Sequence, residues 1–244
     1  PALARERGVG LEEAGRMARY DFFRRTADRL GAQRIATAHH AADQAETVVL
    51  NLVRGTGMQG LAGIPPVRGR IVRPLLETSR EEIETYLETH RLSHVEDETN
   101  RDTALRRNLL RREVMPRLAE LHDGAAANIC RTAELLRTLL LNLLDNAHKA
   151  SPSGAVLQLR GRVVPSGYLF CVIDPGRGIP PEELSRITDP FYMVDKSRAR
   201  AAGGAGLGLT LCRKIAEVHG SSLRFESVVG EGTRVSFLLK GEQK

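Results

Sequence analysis

The sequence has no tryptophan, only three cysteines and no long apolar stretch. A membrane-spanning helix needs about 20 consecutive apolar residues, and no stretch here approaches that length. The first residues also show no charged and apolar leader, so we expect a cytoplasmic protein without a membrane span. Cys130, Cys171 and Cys212 are odd in number and far apart, which favours reduced thiols over a disulfide framework or a zinc site.

Lysine is absent from the whole first part of the chain. The first lysine is Lys149, and all 21 basic residues up to Leu135 are arginines. The residues after Leu135 include 15 basic and 10 acidic side chains, so most of the formal net charge of +6 lies there. This change in usage indicates two parts of different origin, although arginine richness also follows genome composition. The chain begins with Pro1 rather than Met, and we expect an upstream segment.

Hydrophobic spacing predicts a helix over Leu11–Leu30 and then a short buried strand over Arg34–Ala38. His39 and His40 follow at the carboxyl end of this strand, before a helix over Asp43–Val53. Ligands bind at the carboxyl ends of strands in open α/β sheets, so the histidines are candidate site residues. The equal alternative is a helix capped by its first residue, with two histidines facing solvent.

Three further patterns follow in the first part. The loop Arg54–Pro66 has four glycines and two prolines, which suits a segment over an anionic substrate but is also common in plain connections. Ser79 and Glu82 have the spacing of a capping box and predict the start of a helix. Arg107 and Arg111 share one helical face, so they either clamp phosphates or are simply solvated.

The ordered motifs TAHHAADQAET, RGTGMQGLAGIPP, RPLLETSREEIETYL, EDETN and RRNLLRREVMPRL resemble the tRNA(Ile) lysidine synthetases over roughly residues 8–136. That family has the N-type ATP pyrophosphatase fold, and it uses ATP to adenylate a cytidine of the tRNA anticodon before lysine displaces AMP. The resemblance implies that nine residues lie near ATP and RNA: His39, His40, Asp43, Arg54, Gly55, Gly57, Arg107, Asn108 and Arg111.

Two departures from this family weaken the implied activity. Ala42 stands where the family has the first of two adjacent aspartates, which removes an oxygen ligand from a site for magnesium-bound nucleotide. The Ser-Gly-Gly-x-Asp-Ser phosphate loop that opens the family is missing, and nothing in Pro1–Gly10 resembles it. Without the groups that bind and polarise the triphosphate, we expect that this part alone does not make lysidine.

The stretch RTLLLNLLDNAHKAS lies where the two parts meet. Asn142, Asn146 and Lys149 share one helical face, and leucines occupy the other side. The alternatives are a buried helix with satisfied amides or a metal and phosphate site. No proline or glycine interrupts Ala125–Ala150, which predicts one helix of about seven turns that crosses the junction.

The second part then changes to short strands and glycine turns. The stretches AVLQLRGRVV and GYLFCVID are predicted to pair as strands, with Asp174 at the end of the second. A carboxylate there, beside Gly176 and Gly178, could accept a hydrogen bond from the amino group of adenine, although a plain turn is the alternative. Glycines up to Gly208 open a helix, and a hairpin turning at Gly230–Gly232 ends the chain.

The ordered motifs NLLDNAHKAS, DPGRGIP, DPFYMVDKS, GGAGLGL and GEGTRVSF resemble the ATP-binding catalytic domain of sensor histidine kinases over about residues 138–240. The resemblance implies that ATP and Mg²⁺ are cofactors and that Asn146 ligates the magnesium. The other implied ATP-binding residues are Asn142 and Lys149 at the phosphates, Asp174 at adenine with Gly176 and Gly178 beside it, Phe191, Tyr192 and Lys196 of the lid, Gly204, Gly206 and Gly208 at the triphosphate, and Thr233.

Asn142 replaces the glutamate that activates water in related ATPases, and an amide cannot act as a base at neutral pH. The site is therefore expected to hold ATP for transfer rather than hydrolyse it quickly. Pro175 replaces the usual asparagine, which lowers the expected affinity. None of the seven histidines lies in a phosphoacceptor context, so transfer requires a histidine on a partner protein, and a response regulator is a further expected partner.

These patterns predict a mixed α/β and α+β chain. A partial N-type ATP pyrophosphatase-like region, residues 1–136, is joined by a continuous helix to a GHKL-type α/β sandwich ATPase domain, residues 137–244. The leading hypothesis is a magnesium- and ATP-binding histidine kinase-type domain in a fused chain. The alternatives are a lysidine synthetase that needs a missing upstream segment, with weakly supported tRNA binding, and a nucleotide-binding module without chemistry.

Overall fold

The computed structural model of the chain describes residues 2–56, 58–94, 106–194 and 206–240. Predicted site residues Gly57, Lys196 and Gly204 lie outside these described residues. The chain divides into two compact units. The first unit comprises residues 1–47 and 64–127, and the second comprises residues 48–63 and 128–244.

The described part of the chain is mainly helical in its first half. The α-helices are α1 (Ala2–Arg7), α2 (Leu11–Arg29), α3 (Ala41–Val53), α4 (Met58–Leu61), α5 (Arg80–Thr89), α6 (Arg106–Leu109), α7 (Met115–Leu121), α8 (Ala125–Ala150) and α9 (Gly208–Val218). A π-helical turn, Leu110–Val114, separates α6 from α7, and a 3₁₀ turn, Pro181–Glu183, precedes α9.

Local signals place the helix ends of the first unit as predicted. Helix α2 ends one residue before Leu30, and Gly31 follows with a φ of +63°, a conformation that a residue without Cβ adopts readily. At α5, Ser79 accepts from the backbone N–H of Glu82, and the Glu82 carboxylate accepts from the N–H of Ser79. The predicted capping box is therefore confirmed, and it satisfies two N–H groups that a helix start leaves unpaired.

The first unit contains a small sheet of three strands, β1 (Ile35–Ala36), β2 (Val67–Arg68) and β3 (Ile71–Val72), in the order β1-β3-β2. Strand β1 is parallel to β3, and β2 is antiparallel to it. The strand predicted over residues 34–38 is shorter than expected, because its partner β3 is only two residues long. The histidine pair still follows the carboxyl end of β1.

The second unit is built on an antiparallel sheet of four strands. These are β4 (Gln158–Val164), β5 (Gly167–Asp174), β6 (Leu223–Val228) and β7 (Gly232–Lys240), in the order β4-β5-β7-β6. The predicted strand pairs are confirmed, and Asp174 pairs with Thr233 at the end of the β5–β7 ladder. This register places the adenine candidate beside the start of β7.

Helices α8 and α9 supply apolar side chains to the core of the second unit. Leu139 and Leu143 of α8 lie in one buried cluster with Phe170 of β5, Phe237 of β7 and Cys212 of α9. Full burial of a leucine or phenylalanine side chain contributes about 1.5–3 kcal/mol each. The apolar stripe of α8 is therefore fixed in the core, which sets the direction of its polar face.

Helix α8 runs without a break over 26 residues, Ala125–Ala150, as predicted. In the residues that the structure describes, no helix is long and apolar enough to cross a membrane.

Candidate functional site

Three predicted residues follow one another along α8 in the second unit. Asn142 donates its Nδ2 to the carbonyl oxygen of Thr138 at 2.9 Å, and Lys149 Nζ lies 2.6 Å from Asp145 Oδ2. Asn146 Nδ2 is buried and has no hydrogen-bond partner within the described part of the chain. Since buried polar atoms are nearly always paired, this amide indicates a site that a ligand completes.

The N-terminus of α9 lies against the same amides. A Cβ built on Gly208, the first residue of α9, would lie 2.9 Å from Asn142 Oδ1 and 3.6 Å from Asn146 Nδ2. A larger residue at this position would fill the space beside the two asparagines. The first N–H groups of a helix lack partners within the helix, so this end of α9 is suited to an anionic group.

Asp174 is a buried carboxylate at the end of β5, with 5% of its surface exposed. Burial raises the pKa of Asp174, against hydrogen bonds from the backbone N–H groups of Gly176 and Thr233 that act in the opposite direction. The Gly176 N–H lies 2.9 Å from Oδ1. A carboxylate offers about four acceptor positions, so two backbone donors leave capacity for a donor from a ligand.

Ser227 organises the backbone beside Asp174, and it was not predicted from the sequence. Its hydroxyl accepts from the N–H of Ile179 at 2.8 Å and donates to the carbonyl oxygen of Gly232 at 2.9 Å. Ser227 Oγ also lies 2.9 Å from Oγ1 of Thr233, a predicted ATP-binding residue that is buried. Alternation along β6 makes Ser227 look like an ordinary strand residue, so only the fold shows its role.

Glycine lets two backbone segments approach the Asp174 region closely. A Cβ on Gly178 would lie 2.1 Å from the Val228 carbonyl oxygen, and one on Gly176 would lie 2.5 Å from Asp174 Oδ1. Both glycines were predicted from the sequence to let a base approach. In the structure they permit contact between protein segments that form the wall beside Asp174.

The aromatic pair of the predicted lid is held at its base. The Phe191 N–H donates to the carbonyl oxygen of Gly206 at 3.1 Å, and its ring is 70% exposed. Tyr192 donates its hydroxyl to Glu183, and the guanidinium of Arg186 lies 4.4 Å from the Tyr192 ring centroid. These contacts anchor the two ends of the predicted lid.

In the first unit, α3 and the segment around the π-helical turn form a network of charges. Glu46, only 2% exposed, accepts from Arg107 Nε at 2.9 Å and from Arg111 Nε at 2.6 Å. Asp43 Oδ1 lies 3.1 Å from Arg107 Nη2 and 3.3 Å from Arg111 Nη2. Glu46 was not predicted, although its position three residues after Asp43 on a helix was a usable signal.

This network changes the surroundings of the two arginines. The hydrogen bonds that Arg111 donates to Glu46 are the main cause that raises the pKa of Arg111, with burial opposing it. Both arginines donate to carboxylates, so their predicted contact with phosphate stays a prediction. The predicted Asn108 is buried in the same segment.

The two histidines have different environments. The His40 N–H donates to Asp43 Oδ2 at 3.1 Å, so Asp43 pairs with the N-terminus of α3. His39 Nδ1 lies 3.0 Å from Thr37 Oγ1. Burial is the largest cause that lowers the pKa of His39, and Arg73 also lowers it, while Asp43 raises it. The neutral form of His39 is therefore favoured near pH 7.

The remaining predicted residues of the glycine loop belong to the second unit, where Arg54 and Gly55 are exposed. Among the described residues, no group of three or more His, Cys, Asp or Glu could hold a metal ion. Within the described residues, the unpaired atom of Asn146 is the donor Nδ2, which suits a phosphate oxygen, whereas a magnesium ion would need the Oδ1 of the same amide.

Comparison with known protein families finds two matches, one in each part of the chain. Residues 2–118 match the family described as PP-loop domain. Residues 132–243 match the family described as histidine kinase-, DNA gyrase B-, and HSP90-like ATPase.

Curated relatives of this chain include tRNA(Ile)-lysidine synthases. One from Geobacter sulfurreducens is 43% identical over 184 residues, 73% of this chain and 37% of the relative. One from Pseudomonas aeruginosa is 47% identical over 135 residues, 53% of this chain and 30% of the relative. The chain thus spans little more than a third of the length of the Geobacter relative and less of the other.

Solved structures that resemble this chain include two histidine kinases. A mycobacterial sensor histidine kinase, MprB, is 29% identical, with a TM-score of 0.39, and the match covers 46% of this chain and 74% of that one. The catalytic domain of histidine kinase ThkA is 27% identical, with a TM-score of 0.38, over 44% of this chain and 67% of that one.

Proposed function

Since the chain combines a PP-loop domain with an ATPase domain of the histidine kinase, DNA gyrase B and HSP90 type, we propose that its second unit is an ATP-dependent phosphotransferase. It binds magnesium and ATP and transfers the γ-phosphoryl group to a histidine of a partner protein. The observation that carries this proposal is the buried Nδ2 of Asn146, a donor that has no partner among the described residues and lies beside the N-terminus of α9, where a phosphate oxygen could accept from it.

Each part of the nucleotide has residues that suit it. Asp174 accepts a hydrogen bond from the amino group of adenine, because its carboxylate has unused acceptor capacity. The amide oxygen of Asn146 ligates magnesium, which would neutralise charge on the phosphates. The N–H groups at the start of α9, around Gly208, hold the phosphate chain, and Lys149 contributes a positive charge at the end of α8.

The transfer step needs no base from this chain. A neutral imidazole nitrogen of the partner attacks the γ-phosphorus, the bond to the oxygen that bridges the β- and γ-phosphates breaks, and ADP leaves with that electron pair. Asn142 donates its Nδ2 to the carbonyl oxygen of Thr138, so its amide oxygen faces the Gly208 side. An amide oxygen is not a base at neutral pH and cannot deprotonate water. Hydrolysis of bound ATP is therefore slow.

Titration calorimetry of ATP with the full chain tests the binding step. We expect a dissociation constant in the micromolar to millimolar range, about −8 to −4 kcal/mol. Asn146→Ala weakens binding at least about tenfold in the presence of Mg²⁺, because it removes the metal ligand. Asn128→Ala, an exposed asparagine of the same helix, is the matched control and leaves binding unchanged. Equal heats for all three proteins, or no heat for any, would contradict the proposal.

A labelling assay tests the transfer step. The full chain is incubated with γ-labelled ATP and a separately produced helical hairpin that carries a phosphoacceptor histidine. We expect acid-labile, alkali-stable label on the hairpin that disappears with Asn146→Ala. Binding of ATP without transfer to any histidine hairpin would replace the kinase with a nucleotide-binding module.

A second candidate function rests on the first unit, which belongs to the region matched by the PP-loop domain family. The cluster of Asp43, Glu46, Arg107 and Arg111 supports ATP-dependent ligation of lysine to tRNA. Its test is incorporation of labelled lysine into tRNA(Ile) by the full chain with ATP, with the missing upstream phosphate-loop segment supplied. Incorporation that is lost with Asp43→Asn would establish this activity, and no incorporation would remove it.

A further inference from the structure

A cavity of about 930 Å³ lies in the first unit, between α2 and the small sheet. It is lined by six arginines but only two acidic residues, Glu13 and Asp21. The arginines are Arg7, Arg16, Arg24, Arg25, Arg68 and Arg73. None of the eight residues was assigned to either of the sites described above, and the excess of four positive charges needs a counterpart.

The protein itself neutralises only part of this charge. The Asp21 carboxylate forms ion pairs with Arg25 at 2.9 Å and with Arg24 at 3.8 Å. Arg7, Arg16 and Arg68 form no ion pair with any residue that the structure describes, and all three side chains are exposed. A set of guanidinium groups around one cavity repels itself unless an anion lies between them.

Arg73 is the buried member of the set, with only 6% of its surface exposed. Its Nη1 donates to the carbonyl oxygen of Pro65 at 2.6 Å, whereas its Nε is buried without a partner in the described part of the chain. A buried guanidinium without a carboxylate is unfavourable, because burial removes water and nothing compensates the charge. Arg73 and Arg16 also help to lower the pKa of His39, which agrees with a positive potential in this region.

We propose that this cavity binds a ligand with closely spaced phosphate groups. Guanidinium groups present planar pairs of donors that match phosphate oxygens, and several of them around one cavity match a chain of phosphates better than a single ion. The volume of about 930 Å³ is large for inorganic phosphate and falls in the range of ligand pockets. Polyphosphate of a nucleotide and the backbone of RNA share this chemistry.

Inorganic tripolyphosphate is the probe that tests the site without a base. Calorimetry is done without Mg²⁺ on the full chain carrying Asn146→Ala, so that the proposed nucleotide site of the second unit contributes little. We expect binding that weakens as salt is raised. The double variant Arg16→Gln/Arg68→Gln loses at least about tenfold in affinity, because two exposed guanidinium groups of the cavity are removed.

The matched control is the double variant Arg80→Gln/Arg117→Gln, which removes two exposed arginines of the first unit that pair with Glu84 and Glu120. It has the same change in net charge and retains full affinity. Equal affinity losses in the two double variants would show general charge attraction and overturn the proposal, as would the absence of any binding.

Arg73→Lys adds a test of geometry at constant charge. Lysine cannot supply the planar Nε donor, so tripolyphosphate binding falls while hydrogen exchange in the first unit stays that of the parent. Unchanged affinity in this variant would exclude the role of the buried guanidinium. Competition with ATP and with a single-stranded RNA of about 12 nucleotides then shows which source of phosphates displaces the probe.

Discussion

Glycines have different surroundings in the two units. Six glycines of the first unit have no atom within 4 Å of an added Cβ, namely Gly8, Gly10, Gly15, Gly31, Gly69 and Gly124. In the second unit, four glycines also meet nothing, but seven would place that atom between 2.0 and 2.9 Å from a neighbour, namely Gly60, Gly161, Gly176, Gly178, Gly206, Gly208 and Gly232. Apart from Gly15 inside α2, the first set serves turns and connections, whereas Gly176, Gly178, Gly206, Gly208 and Gly232 permit the close packing around the proposed nucleotide site.

The two candidate sites also differ in how they are held. In the first unit, four charged side chains, Asp43, Glu46, Arg107 and Arg111, bind one another. In the second unit, backbone N–H groups and amides surround Asp174 and Asn146. Side-chain ion pairs tolerate small backbone changes, but they fail when one charge is removed. The site around Asp174 and Asn146, which is built largely from backbone N–H groups, is instead more sensitive to small backbone changes than to the loss of one charge.

The largest expected effect is that of a methyl group at Gly232 in the second unit. Gly232 has a φ of +126°, and an added Cβ would lie 2.0 Å from the carbonyl oxygen of Asp174. Gly232→Ala therefore destabilises the second unit by about 3 kcal/mol or more, through overpacking and backbone strain. Hydrogen exchange measured by mass spectrometry resolves the two units and reports the change.

Gly230→Ala is the control for this prediction. Gly230 also has a positive φ, +84°, but an added Cβ meets nothing within 4 Å. The strain alone amounts to about 1–2 kcal/mol, so Gly232→Ala must be the more damaging variant. Equal effects of the two substitutions would show that close packing does not distinguish the second unit.

The next effect concerns the ion network of the first unit. Glu46→Gln removes the buried charge that Arg107 and Arg111 share, and it destabilises the first unit by about 2–3 kcal/mol. This is less than the roughly 3–5 kcal/mol of a fully buried pair, since both arginines are about one-third exposed. Urea unfolding followed by hydrogen exchange gives the value for each unit.

Glu84→Gln is the matched control, because Glu84 forms an exposed ion pair with Arg80. Exposed pairs contribute about 0–1 kcal/mol. If Glu46→Gln proved as mild as this control, the network would not hold the first unit together.

A smaller effect is expected from pH on nucleotide binding in the second unit. Burial raises the pKa of Asp174 above the ordinary value of 3.8, and a donor from adenine favours the ionised form, so binding releases a proton. Affinity for ADP is therefore full above the raised pKa and falls as pH drops through it, by about tenfold per pH unit below it. Calorimetry across about pH 4–8 measures this change in affinity.

Asp174→Asn separates this titration from protonation of the nucleotide. The variant binds more weakly near pH 7, because an amide offers fewer acceptor positions, and its affinity has a flatter pH profile. A profile as steep as that of the parent would show that another group titrates.

The smallest effect has the opposite sign. Gly15 lies inside α2, and an added Cβ meets nothing within 4 Å. Gly15→Ala therefore stabilises the first unit by about 0.5–1 kcal/mol, because alanine loses less backbone entropy in a helix. A thermal melt with domain-resolved hydrogen exchange checks the gain, and a loss of stability would show that α2 packs more tightly at this point than the structure indicates.

Several elements were predictable because their signals are local. The uninterrupted Ala125–Ala150 stretch predicted α8 with its observed bounds. The Ser79 and Glu82 pair predicted the start of α5, and alternation predicted the β4–β5 pair. In each case the residues that decide the element are neighbours in the chain, so propensity and pattern suffice.

Contacts between distant residues were not predictable in the same way. Glu46 meets arginines more than sixty positions later, and Ser227 reaches Ile179 forty-eight positions before it. Nothing in a short window of sequence specifies such partners. The same holds for the arginine cavity, whose lining comes from α1, α2 and the small sheet.

The sequence by itself determined which residue types each unit offers: the polar face of α8 with Asn142, Asn146 and Lys149, the carboxylate Asp174 at a strand end, and the arginines of the first part. These follow from the 3.6-residue and 2-residue periods of helices and strands. Only the tertiary structure decided which of these groups are paired. In the folded chain, Arg107 and Arg111 donate to carboxylates, whereas Asn146 Nδ2 and Arg73 Nε are buried without partners among the described residues. Burial and distance, which decide whether a polar group needs a ligand, depend on packing between segments far apart in the chain.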